Sequence, residues 1–169
     1  LEKVDMSGWT TPSLLCVDAM FNNCESLKTV DLSDLDTANV KEFSQMFEAC
    51  YALETVEGME NWDTSSACTF TEMFSGCSKL KELDLSSFDT GAAFDNYTDM
   101  NNSTSHAFVS MLSSVKSLEK LVVSDKISYY GNGNVTEARK LVFPNPVAKE
   151  GYIAKWQNVD TGAVYLGKD

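Results

Sequence analysis

The stretch Met73-Phe-Ser-Gly-Cys-Ser-Lys-Leu-Lys-Glu-Leu-Asp-Leu-Ser-Ser-Phe-Asp-Thr90 occurs in this chain more than once, and no other feature limits the possible folds as much. An earlier full copy runs from Met20 to Thr37, and a second from Met46 to Thr64. Met20 and Met46 lie 26 residues apart and Met46 and Met73 lie 27 apart, the second copy carrying one additional residue around 58–60. Self-similarity at a period in the 20s, built on Leu-x-x-Leu-x-Leu, is the mark of a leucine-rich repeat. Such a unit has no core of its own and is stable only against its neighbours.

The same frame reaches both ends of the repeat region. Leu1-Glu-Lys-Val-Asp-Met-Ser7 matches Leu27-Lys-Thr-Val-Asp-Leu-Ser33, so the chain is expected to start within a repeat, as a fragment of a longer protein. Met111 to Leu118 matches Met73 to Leu80 at a separation of 38 residues, which places an insert near 91–105. Five strand-forming segments are therefore expected over residues 1–125. From Lys126 the pattern is lost. There, 151–156 and 158–165 read as two strands about an Asp160-Thr-Gly162 turn, so 126–169 is expected to be a small β-rich cap or module.

The run Met-Phe-x-x-Cys-x-x-Leu-x-x-Leu-Asp-Leu-Ser-x-Phe-Asp-Thr resembles the BspA-like leucine-rich repeats of bacterial surface proteins, over residues 1 to about 125. That resemblance implies an extracellular, surface-displayed protein with a role in adhesion, and it brings no catalytic residues. The departures are Glu57-Gly-Met59 in place of Asp-Leu-Ser, Val115 at the Cys position, and the insert.

Within one repeat, Val30-Asp-Leu32 is the expected strand, Ser33 to Thr37 the turn, and Val40, Phe43, Met46 and Phe47 one or two amphipathic helical turns. Superposed repeats give columns of like side chains: Leu1, Leu27, Leu53, Leu80 and Leu118; Met20, Met46, Met73 and Met111; Phe21, Phe47, Phe74 and Leu112; Trp9, Leu35, Trp62 and Phe88. The expectation is an α/β repeat solenoid. It is a leucine-rich-repeat-like right-handed coil with one short parallel strand and one short helix per repeat, closed by the β-rich C-terminal cap.

Composition narrows the partners. Lys and Arg number 13 against 25 Asp and Glu, a net charge of −12. That field repels nucleic-acid phosphates and anionic lipid, and no apolar run approaches the roughly 18 residues of a spanning helix. Cys24, Cys50 and Cys77 share one repeat position that Val115 fills in the last copy. The column reads as small buried apolar slots, with disulfides or a metal as the alternative. His106 is the only histidine, in a polar tract, and no phosphate-binding glycine loop, nucleophile elbow or zinc-protease run is present. No catalytic residue, metal or cofactor is expected.

The functional content lies in the carboxylates Asp5, Asp31, Glu57 and Asp84, which recur at the middle of each strand and point away from the core. On one reading they accept hydrogen bonds from nearby Ser, Thr and backbone groups and shape the turn. On the other, they form a face for a basic or cation-bearing partner, since like charges at strand spacing repel one another. Tyr97, with Tyr129 and Tyr130, supplies exposed aromatic surface of the kind that stacks on glycans. The expectation is a non-enzymatic adhesion module whose partner is a host or neighbouring-cell extracellular protein, or a glycan. A passive spacer is the alternative.

Overall fold

The computed structural model describes residues 1–95, 110–124 and 126–127, together with the backbone of 156–157 and 164–165. Five short strands fall where the repeat places them: β1, Lys3–Asp5; β2, Thr29–Asp31; β3, Thr55–Glu57; β4, Glu82–Leu85; and β5, Lys120–Val123. Each pairs in parallel with a residue one repeat away. Val4 lies opposite Val30 and Val30 opposite Val56, while Leu83 lies opposite Leu121. β-Branched residues at these positions suit a pleated, half-buried surface. The strand β6, Trp156–Gln157, pairs antiparallel with β7, Val164–Tyr165. The turn expected between them lies outside the described residues, as does most of the expected cap.

The expected α/β repeat solenoid is not what the structure shows. Among the described residues one α-helix occurs, α1 at Gly91–Asp95, and it falls inside the expected insert rather than within each repeat. The strands do not form one continuous sheet. They divide into β1-β2-β3 and β4-β5, so the chain is not a coil alternating strand and helix.

The backbone of the return segments explains the missing helices. Ala19, Asn23, Gln45, Ala49, Glu72, Ser110 and Ser114 have positive φ, and Gly76 takes the place matching Asn23, Ala49 and Ser114. A left-handed residue at two positions per repeat stops an α-helix from propagating. The segment is a train of tight turns. Met20, Asn22 and Cys24 donate N–H bonds to the carbonyls of Val17, Ala19 and Phe21, three residues back. The intervening N–H groups of Ala19, Phe21 and Asn23 reach across to the carbonyls of Ser44, Met46 and Glu48 in the next repeat, at 2.8–2.9 Å. The next pair of repeats repeats this, Gln45, Phe47 and Ala49 donating to Thr71, Met73 and Ser75. The apolar spacing at 40, 43, 46 and 47 serves these turns as well as it would a helix.

The break between sheets follows from the additional residue of the second copy. Gly58 has φ +90, and the turn Met59–Asn61 that follows is a single 3-10 turn. A Cβ at Gly58 would stand 2.3 Å from the Ser33 backbone nitrogen and 2.4 Å from its Cα. The chain leaves strand geometry here by lying directly on its neighbour's backbone, which only glycine permits.

The core lies between the strand side and the turn side. Phe21, Phe47 and Phe74 stack with centroids 5.5 and 5.3 Å apart. A second aromatic group joins Phe43, Trp62, Phe70 and Phe88 at 5.3–6.3 Å. Offset stacking of this kind adds about 0.5–1.5 kcal/mol per pair beyond area burial. Trp62 occupies the place of Leu35 and Phe88, and its indole N–H is accordingly buried without a partner among the described residues. The first repeat departs from its columns: Leu1, Trp9 and Met20 are exposed, whereas their counterparts in the later repeats are buried.

Candidate binding face and its supporting ladders

Asp5, Asp31 and Glu57 stand opposite one another in register across β1-β2-β3. Asp84 belongs to the second sheet, where its partner is Val122. The structure therefore brings three of the four predicted carboxylates into one row and places the fourth in the neighbouring sheet. Asp31 is half-buried and the other three are exposed. Tyr97 lies outside the described residues, as do Tyr129, Tyr130 and His106.

Each aspartate of the set does local work. Asp5, Asp31 and Asp84 accept a backbone N–H bond from the serine two residues on, Ser7, Ser33 and Ser86, at 2.8–3.0 Å. The Ser33 hydroxyl also donates to Asp31 at 2.6 Å. Hydrogen bonding to the ionised form favours that form. Hydrogen bonds from Ser7 hold Asp5 below the usual carboxylate range, and those from Ser33 do the same for Asp31. The neighbouring Asp5 charge acts on Asp31 in the opposite direction but is outweighed. At Asp5 and Asp31 the hydrogen bonds of the turn that ends the strand outweigh the effect of neighbouring charge.

A second ladder, of threonines, escaped the sequence reading. Thr11, Thr37, Thr64 and Thr90 recur at one position, and the last three are buried. Thr37 Oγ1 donates to the Asp63 carbonyl at 3.0 Å and accepts from the Asp63 N–H at 2.9 Å. Thr64 makes the same two bonds to Asp89, both 2.8 Å, and Thr11 accepts from the Asp36 N–H at 3.0 Å. The signal was present as the Asp-Thr pair closing each copy, but a buried hydroxyl serving the next repeat cannot be told from a turn threonine by spacing alone. Amide and carboxylate side chains cross repeats too, Asn22 to Glu48 at 2.8 Å and Gln45 to Glu72 at 2.9 Å.

All five cysteines are free thiols. Cys50 and Cys77 are fully buried and donate S–H bonds to the carbonyls of Phe21 and Phe47 at 3.1 and 3.2 Å. Burial pushes the Cys50 thiol up to about 12 and raises Cys77 further. Thiolate chemistry at neutral pH is closed to both. Among the described residues no group of three or more His, Cys, Asp or Glu side chains is placed to hold a metal ion. No described helix is long and apolar enough to cross a membrane.

These features define a protein whose sequence repeats pair in register through short parallel strands and tight turns, with an acidic outer row. Residues 2–115 match the family described as a Mycoplasma protein of unknown function, DUF285. The match covers about two thirds of the chain, and the chain belongs to that family. Comparison with curated proteins and with solved structures gave no match.

Proposed function

We propose that this chain is a non-enzymatic binding module of a cell-surface protein, related to the BspA-like repeats, and that it presents its strand face to an extracellular protein partner. The observation that carries this reading is the in-register row Asp5, Asp31 and Glu57. Its carboxylates stand outside the core, and the Asp5 and Asp31 side chains are already oriented by Ser7 and Ser33. A pre-oriented charged row loses little freedom when a partner docks. Complementary charge also raises the rate of encounter with a basic surface. The repeat core supports such a face without supplying chemistry of its own.

The test uses Asp5→Asn with Asp31→Asn, two members of the row. The amide oxygen still accepts the Ser7 and Ser33 N–H bonds, so the fold is kept while the charge is removed. Capture of proteins from an extracellular-matrix extract is expected to fall, with the melting temperature unchanged. Capture equal to that of the parent chain, or capture of nothing by either protein, returns the row to turn formation and the module to a spacer.

A further inference from the structure

We draw no further inference here: the strongest candidate, the exposed Tyr51 ring of the second repeat, which lies against Gly76 of the next repeat, is a single surface aromatic, and nothing in the structure shows what covers it.

Discussion

Thr64→Val is the most informative single change in the repeat stack. Thr64 is fully buried, and its hydroxyl both donates to the Asp89 carbonyl and accepts from the Asp89 N–H, each at 2.8 Å. Valine matches threonine in shape, so packing is preserved while both bonds vanish. Each net hydrogen bond is worth about 1 kcal/mol, and a buried group left without a partner costs about 1–3 kcal/mol. Asp89 is half-buried, so water relieves part of that cost, and the expected loss is roughly 2–4 kcal/mol. At this chain length each kcal/mol moves Tm by about 2–4 °C. Urea unfolding followed by circular dichroism measures the loss, with an unchanged m-value showing that the unfolded state is not affected. Thr64→Ser is the control, since it keeps the hydroxyl and loses one methyl, about 0.8 kcal/mol. If valine is tolerated to within about 0.5 kcal/mol, the size of an ordinary surface change, or if serine proves worse than valine, the hydroxyl ladder does not hold the repeats together.

Gly58→Ala should lose roughly 3 kcal/mol or more, because its Cβ has backbone on top of it and backbone cannot rotate away. Gly76→Ala should cost only about 1 kcal/mol, because the nearest backbone there stands 3.4 Å from the new Cβ and Asn23 and Ala49 already hold the equivalent conformation; thermal melts of the two variants side by side check the contrast. Burial raises the Cys50 thiol from 9.0 to about 12, so its stabilising contribution is complete below pH 9 and lost as pH rises toward 12; a pH series of melting temperatures should fall over that window, and less steeply in Cys50→Val with Cys77→Val. Asp5 and Asp31 are held low by Ser7 and Ser33, so their contribution is present above the ordinary carboxylate value and lost as pH falls through the folded one. NMR titration of Asp31 should show its pKa moving upward in Ser33→Ala.

The repeat period was legible because it is written in ten or so recurring residues, and the in-register partners follow from it directly: Val4, Val30 and Val56 pair as the alignment of the copies places them. The helix in each repeat was misread for a physical reason. Spacings of three and four residues suit a train of β-turns as well as an α-helix, and left-handed residues mark the difference. Only Gly76 and Asn23 carry the usual composition of such positions; at Gln45 and Ala49 cross-repeat hydrogen bonds from their own N–H groups hold the conformation. The sheet break was signalled by the additional residue near Gly58, but its depth was not, since it depends on the distance to Ser33.

The candidate site shows the same division between what a sequence writes locally and what neighbours decide. That Asp5, Asp31 and Glu57 form one row follows from the period, but whether repulsion or hydrogen bonding governs them depends on where Ser7 and Ser33 point their N–H groups. Those bonds fix the Asp5 and Asp31 carboxylates at the ends of their strands, and at Asp31 they outweigh the neighbouring Asp5 charge. The exposure of Trp9 has a plainer cause: it is shared with Leu1 and Met20, which belong to the first repeat of this sequence, and every later member of their three columns is buried.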